Sequence, residues 1–158
     1  MVSTVFLINN PHLKIAGLMV GSPFYSFGTQ QNISTFRRQL AQFMANNLEE
    51  LPLNGPSSTH NLAADRRYFL WEYFGNCKRH AYAISGGVIC SMMESLEDLQ
   101  LNAKELNKPI LVMLAGQEKT VSNDATRTFL KNCGSTDKNV VDFPTANHNI
   151  HKEPDSKP

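Results

Sequence analysis

The sequence predicts an α/β fold, in which a parallel β-sheet carries helices on its faces. Residues 110–114 form an unbroken apolar run after Pro109, and residues 15–20 form another, which ends at Gly-Ser-Pro, residues 21–23. Continuous apolar runs of this length are typical of strands buried on both faces of a parallel sheet. Segments with helical spacing separate these runs, and such alternation indicates an α/β protein.

The carboxyl-terminal third reads as strand, helix and strand. After the first strand, Gly116 opens a polar loop, and Ser122 or Asn123 can cap the helix that follows. Gly134 is expected to end this helix, because glycine commonly follows the last helical residue. The helix presents three apolar residues at helical spacing: Ala125, Phe129 and Leu130. The second strand is short and stops at Pro144; its apolar residues are Val140, Val141 and Phe143.

Two candidate catalytic side chains follow these two strands. Glu118 lies in the loop after the first strand, and His148 lies in the loop after the second. A right-handed strand-helix-strand crossover places both loops at one edge of the sheet, so we expect the two side chains to lie close together. A hydrolase uses such an acid to orient and charge the histidine that acts as its general base.

These loops resemble the C-terminal part of an α/β-hydrolase. Residues 116–123, Gly-Gln-Glu-Lys-Thr-Val-Ser-Asn, and residues 146–150, Ala-Asn-His-Asn-Ile, followed by Glu153, are similar to the monoacylglycerol lipase and lysophospholipase group, also catalogued as serine aminopeptidase-like (S33) hydrolases. In that family an acid follows the penultimate strand, and an Ala-x-His loop follows the last one. Glu118 matches the acid, where Asp is commoner, and His148 matches the histidine.

The nucleophile elbow of that family, G-x-S-x-G, does not occur in the sequence. Ser22, in Val-Gly-Ser-Pro, and Ser85, in Ile-Ser-Gly-Gly, lack the two flanking glycines, and Ser22 is interpreted as the end of a strand. Residues 1–10 are apolar at helical spacing up to Asn-Asn-Pro, like the helix that follows the elbow in the family. We therefore expect a C-terminal fragment, although this helix also suits the core of a complete small domain.

The resemblance divides the chain into a core and an insertion. Residues 1–23 and 108–158 would form a partial α/β-hydrolase core, and residues 24–107 would form a helical cap or lid, together with a return helix over 88–107. The cap contains an aromatic helix at 66–76. That helix either lines a lipid groove and makes peripheral membrane contact, or simply packs one face on the domain.

Other residues compete with the proposed pair. Three aspartates are alternative acids: Asp124, Asp142 and Asp155. Glu118 is also placed to form a surface ion pair with Lys119. His148 and His151 are three residues apart and would suit zinc, but no third ligand stands nearby, so neither a metal nor a cofactor is expected.

Composition excludes several classes of protein. The 158 residues are 41% hydrophobic and carry a net charge of +1, which indicates a globular chain. So small a positive charge does not indicate a nucleic-acid-binding surface. The three cysteines form no C-x-x-C motif and suit a reducing compartment. No apolar run is long enough to span a membrane and no signal peptide is recognised, so a cytoplasmic location is expected.

By resemblance, the implied activity is hydrolysis of a carboxylic ester in a monoacylglycerol or lysophospholipid. His148 would act as general base and then as general acid, and Glu118 would hold the useful tautomer of its ring. The serine would then lie outside this chain, which would be the product of a truncated gene, a partial duplicate, or one piece of a split enzyme that a separate N-terminal hydrolase piece completes. The alternative is a catalytically inactive remnant, which binds lipid or another protein.

Overall fold

The structure is a computed structural model that describes residues 1–26 and 86–153, with six isolated positions (39, 40, 42, 43, 46 and 47) between them. Its main elements are α1 (Val2–Asn9), β1 (Leu18–Gly21), α2 (Gly86–Leu101), β2 (Ile110–Ala115), α3 (Asn123–Asn132) and β3 (Lys138–Phe143). Short 3₁₀ helices span Ala103–Glu105 and Ile150–Lys152. Most of the predicted cap, including its aromatic helix, lies outside the described residues, as does Asp155.

The three strands form one parallel sheet in the order β1-β2-β3. Leu18 of β1 pairs with Ile110 of β2, and Met113 of β2 pairs with Val141 of β3. Because α3 connects β2 to β3, the loops that follow these two strands meet at one edge. The parallel sheet with its helices confirms the predicted α/β fold.

The two faces of the sheet differ in how they are covered. Alternation along each strand assigns every side chain to one face, and paired residues of parallel strands share a face. We call the helix-covered side the inner face; its central residues are Ile110, Val112 and Leu114, all at most 2% exposed. We call the other side the outer face; its residues are Met19, Gly21, Leu111, Met113, Ala115, Asn139, Val141 and Phe143.

The core lies between the inner face and the three helices. Leu7 of α1, Leu99 of α2 and Phe129 of α3 belong to one buried cluster with the inner face. Tyr25 joins the segment after β1 to this cluster: its ring centroid lies 4.5 Å from that of Phe129, and its hydroxyl lies 2.9 Å from that of Thr4. Burial raises the pKa of Tyr25 to about 12, so the hydroxyl stays protonated and available for this bond.

The prediction that residues 15–20 form a buried strand is wrong in two respects. β1 begins at Leu18 rather than at residue 15, and it is four residues long. Met19 is 67% exposed, whereas Leu18 and Val20 pack against the core. The physical reason is that the core cluster packs only on the inner face of β1, whereas Met19 lies on the outer face.

Two predicted helix ends are also corrected. The return helix was expected to run to residue 107, but α2 ends at Leu101 and a 3₁₀ helix follows. At the start of α3, Ser122 is the cap of the two candidates that the sequence offers, because its hydroxyl accepts the N–H of Ala125. At its end, Cys133 caps the helix with extended backbone, and Gly134 does not take the left-handed conformation expected of a terminator.

Gly134 serves instead to admit a neighbouring segment. A Cβ built on it would collide with the backbone carbonyl oxygen of Lys104 and would lie 2.6 Å from the Asn107 Oδ1. The glycine therefore lets the turn after α3 approach the 3₁₀ helix after α2, because a side chain there would push the two segments apart.

We predict that Gly134→Ala lowers the free energy of unfolding by about 1–3 kcal/mol, because the added methyl must displace backbone. Gly21→Ala is the matched control, since its Cβ would meet only the Met113 Cε, at 3.6 Å; we expect its effect to stay within about 0.5 kcal/mol. Chemical denaturation measures both. Equal stability of the two variants would contradict the close approach described for Gly134.

Candidate active site

Backbone hydrogen bonds join the loop after β2 to the loop after β3. The N–H of Gly116 donates to the carbonyl of Phe143 at 2.8 Å, and the N–H of Gln117 donates to the carbonyl of Ala146 at 2.9 Å. The Gln117 side-chain amide donates to the carbonyl of Pro144 at 3.2 Å. A Cβ on Gly116 would collide with the Pro144 backbone, so the glycine permits this close contact. The two loops are thereby held as one unit.

Glu118 and His148 face each other across this joint. The Nδ1 of His148 lies 2.8 Å from the Oε2 of Glu118, the proximity that the topology predicts. The other carboxylate oxygen, Oε1, accepts the N–H of Thr120 at 2.7 Å and that of Val121 at 3.2 Å. The Glu118 side chain is 2% exposed and that of His148 is 21% exposed. The carboxylate is therefore buried with a hydrogen-bond partner on each oxygen, and the imidazole reaches the surface.

The environment keeps Glu118 ionised. Burial, the largest single influence, raises the pKa of its carboxyl group. The hydrogen bond from His148, the N–H groups of Thr120 and Val121, and the attraction to the imidazole together outweigh burial, and the pKa lies below its ordinary value. Glu118 is consequently a carboxylate at neutral pH.

An ionised Glu118 determines which nitrogen of the neutral imidazole carries the proton. A carboxylate can only accept hydrogen bonds, so Nδ1 of His148 must be the protonated nitrogen. Nε2 is then left with a free lone pair. This tautomer is the one that can take a proton from a neighbouring group, and the carboxylate stabilises the imidazolium that results.

The histidine loop is held by its own contacts. The N–H of Ala146 donates to the carbonyl of Phe143 at 3.1 Å, and the N–H of Asn147 donates to the Oε1 of Glu153 at 3.3 Å. Ala146 and Ile150 are buried against Ala115 at the end of β2. The residues that flank His148 in the sequence therefore fix its loop against the outer face of the sheet.

A cavity of about 380 Å³ lies beside His148. One part of its lining is apolar and comes from the sheet and the following 3₁₀ helix: Met113, Phe143 and Ile150. The other part is polar: Asn149, His151 and Glu153. Gly21, the last residue of β1, completes the wall. The exposed edge of the imidazole thus borders an amphipathic space.

Ser22 follows β1 and has a strained backbone. Its φ is 41°, in the left-handed region that residues other than glycine seldom adopt. Its N–H donates to the carbonyl of Met113 at 2.9 Å, as if extending the strand. Its hydroxyl is buried and has no hydrogen-bond partner in the described part of the chain. The strand-end interpretation fits this position, and Gly21 rather than Ser22 lines the cavity.

The competing acids lie elsewhere. Asp124 is exposed in the first turn of α3, and Asp142 of β3 forms an ion pair with Arg127 of α3, both side chains being about half exposed. Lys119 is exposed. In the described part of the chain it forms no ion pair with Glu118, whose two oxygens contact the N–H of Thr120 and the Nδ1 of His148 instead.

His151 lies on the 3₁₀ helix Ile150–Lys152 and lines the cavity three residues after His148. Among the described residues, no cluster of three or more His, Cys, Asp or Glu side chains could hold a metal ion. Within the same residues, no helix is both long and apolar enough to cross a membrane.

Sequence reasoning missed the two backbone donors that hold Glu118. Asp and Asn often accept N–H groups of residues slightly further along the chain, and Glu118 does the same with a longer side chain, for which no such local rule predicts the bonds. The apolar cavity wall from Met113 and Phe143 was not anticipated either, since both residues count simply as core in an apolar strand.

We predict that His148→Ala raises the pKa of Glu118, because the ring N–H is lost while the carboxyl group stays buried. A carboxylate with a lowered pKa stabilises the folded state above its unfolded pKa of about 4.3, and that stability is lost as the pH falls through the folded pKa. In His148→Ala, the stabilisation from the Glu118 carboxylate should be smaller, and its loss on acidification should be complete at a higher pH. A carboxyl-carbon NMR titration of Glu118 measures the shift, and His12→Ala, which removes an exposed histidine, is the control. An unchanged midpoint in His148→Ala would contradict the coupling.

Solved structures show the same fold. A monoacylglycerol lipase from Paleococcus ferrophilus superposes with a TM-score of 0.80 at 18% identity, over 98% of this chain and 58% of the lipase. A soluble variant of monoglyceride lipase from Saccharomyces cerevisiae, in complex with a substrate analog, gives 0.77 at 16% identity, over 96% and 53%. One of the metagenome-derived lipolytic enzymes LipS and LipT gives 0.67 at 14% identity, over 98% and 55%.

The chain thus spans little more than half the length of these lipases. No curated protein gives a significant sequence match. The family profile described as "Serine aminopeptidase, S33" matches residues 1–155. A match over nearly the whole sequence, on a parallel sheet shared with solved lipases, shows that the chain belongs to the serine aminopeptidase S33 family of α/β-hydrolases.

Proposed function

We propose that Glu118 and His148 are the acid and base of a serine-type hydrolase that cleaves carboxylic esters. The observation that carries the proposal is the 2.8 Å contact between a buried carboxylate and the Nδ1 of a partly exposed imidazole beside a cavity. Orienting a histidine in this way is the task of the acid in a catalytic triad.

In the proposed reaction, Nε2 of His148 takes the proton of a serine hydroxyl as the serine oxygen attacks the ester carbonyl. Glu118 stabilises the imidazolium, which then gives its proton to the leaving alcohol and leaves an acyl-serine. Water attacks the acyl-serine with the same histidine as base, releasing the fatty acid. Backbone N–H groups around the nucleophile would stabilise the oxyanion.

The proposed reaction also needs a nucleophilic serine, and the proposal gives that role to no serine of the described residues. The elbow motif G-x-S-x-G occurs nowhere in the 158 residues, and Ser22 donates its N–H to the strand ladder rather than lining the cavity.

The proposed substrates are monoacylglycerols or lysophospholipids. Two of the solved relatives are monoacylglycerol or monoglyceride lipases. The lining of the cavity supports an amphiphile, since Met113, Phe143 and Ile150 suit an acyl chain and Asn149, His151 and Glu153 suit a hydroxylated head group. Peripheral membrane contact through the cap, residues 24–107, belongs to the same proposal.

A second candidate function is lipid binding without turnover. The cavity supports it, because an apolar wall suffices to hold an acyl chain whether or not a nucleophile is present. Saturable binding of a monoacylglycerol by the chain, with no hydrolysis in any preparation, would favour this second function.

In any preparation that hydrolyses a monoacylglycerol, we predict that His148→Ala lowers kcat by about 10⁶-fold. Glu118→Gln should lower it by about 10⁴-fold, because the imidazole loses its orienting anion. His12→Ala, in the exposed turn after α1, should hydrolyse like the unmodified protein. Retention of activity in both site variants would refute the assignment of acid and base.

The chain produced alone should not react with a fluorophosphonate probe, which labels activated serines in hydrolases. Intact-mass spectrometry measures the labelling, and denatured protein sets the background. Stoichiometric labelling of a serine in the folded chain would show that the nucleophile is present after all. Loss of that label in Ser22→Ala would then identify the serine beside Gly21.

A further inference from the structure

The backbone of His148 is positioned by its neighbours. In the part of the chain that the structure describes, its own N–H and C=O groups form no hydrogen bond, whereas its ring contacts Glu118. A side chain on such a backbone keeps its direction only when the residues on either side of it are fixed. The contacts of the flanking residues therefore decide where the imidazole points.

On the carboxyl-terminal side, the 3₁₀ helix Ile150–Lys152 supplies a fixed point. Ile150 is buried against Ala146 and against Ala115, the last residue of β2. Its carbonyl accepts the N–H of Glu153 at 3.2 Å. The backbone of Glu153 therefore has a position that the sheet fixes through Ile150.

The side chain of Glu153 reaches back from this point to the other side of the histidine. Its Oε1 accepts the N–H of Asn147, the residue immediately before His148, at 3.3 Å. Hydrogen bonds to an ionised acceptor are stronger than those between neutral groups, and Glu153 is partly buried, which limits competition from water. The bond closes the loop over residues 147–153 and fixes Asn147, from which the chain enters His148.

We propose that Glu153 is a positioning residue, which holds the histidine loop so that the imidazole of His148 stays in contact with Glu118. The inference rests on the proposed function and adds a second carboxylate to it. The two carboxylates have separate tasks, because Glu118 contacts the ring itself, whereas Glu153 holds the backbone next to the residue that carries the ring. Without Glu153, the loop turns the ring away from its acceptor for part of the time.

Glu153 also lines the cavity beside His148, so contact with a substrate head group is the competing role for its carboxylate. A head-group contact would change the affinity for substrate and would leave the ring unaffected when no substrate is present. A backbone contact requires the length and the acceptor oxygen of the side chain, and it affects the ring without substrate. The two roles therefore give different results in the same variants.

Proton NMR of the Nδ1–H of His148, in the full chain without substrate, tests the proposal. In Glu153→Ala we expect the strongly deshielded resonance to disappear, and the amide of Asn147 to exchange about tenfold faster with solvent, as the loss of one hydrogen bond implies. Glu105→Ala is the control, because it removes an exposed carboxylate from the other short 3₁₀ helix, Ala103–Glu105, and should change neither signal. An unchanged Nδ1–H resonance in Glu153→Ala, or the same loss in the control, would overturn the proposal.

Two further variants separate the length of the side chain from its charge. Glu153→Gln keeps the length and an acceptor oxygen, so the Nδ1–H resonance of His148 and the slow exchange of Asn147 should be retained. Glu153→Asp keeps the charge but is one methylene shorter, so both should be lost. Retention in Glu153→Asp together with loss in Glu153→Gln would refute the backbone contact. This comparison also decides the matter if Glu153→Ala does not fold.

Kinetics separate positioning from substrate binding. In any preparation that hydrolyses a monoacylglycerol, Glu153→Ala should lower kcat between about tenfold and a hundredfold with little change in KM, because a displaced base is less effective once substrate is bound. A higher KM with unchanged kcat would assign Glu153 to head-group binding and overturn the positioning role. If the Nδ1–H resonance is lost in Glu153→Ala while no preparation hydrolyses an ester, the positioning role is supported and the proposed function fails.

Discussion

The joint between the loops after β2 and β3 is the constraint on which the site depends. Neither loop has regular structure that would fix its side chains, yet Gly116 and Gln117 donate backbone hydrogen bonds across the joint to Phe143 and Ala146. Because β2 and β3, which lead into these loops, are hydrogen-bonded neighbours, the sheet fixes the positions at which the two loops begin. The 2.8 Å contact between the acid and the histidine follows from the sheet rather than from loop chemistry alone.

The balance of forces on Glu118 explains how one residue can serve both structure and chemistry. A carboxylate at 2% exposure is costly to bury, and burial alone would favour its neutral form. Two backbone N–H groups and the imidazole reverse that preference. The charge that they stabilise fixes the tautomer of His148. The backbone N–H groups of Thr120 and Val121 therefore act on the proposed base indirectly, through Glu118.

Sequence reasoning succeeded where a pattern had a single physical solution. The apolar run at 110–114 is a strand in the sheet, as predicted, and two parallel strands joined by a helix place Glu118 and His148 at one edge. It failed where the outcome depended on what else surrounds an element. The run at 15–20 has the composition of a buried strand, but its outer side is open and Met19 is exposed. The role of Gly134 depends on Lys104, thirty positions away, which local helix-end rules do not consider.

The carboxylate of Glu118 holds His148 with Nδ1 protonated and with the lone pair of Nε2 free to accept a proton. Nitrogen-15 NMR of the imidazole, at a pH where the ring is neutral, tests it most directly because the two nitrogens have distinct shifts in the two tautomers. We expect a protonated Nδ1 with a strongly deshielded proton, and loss of that signal in Glu118→Gln. A protonated Nε2 in the unmodified chain would contradict it.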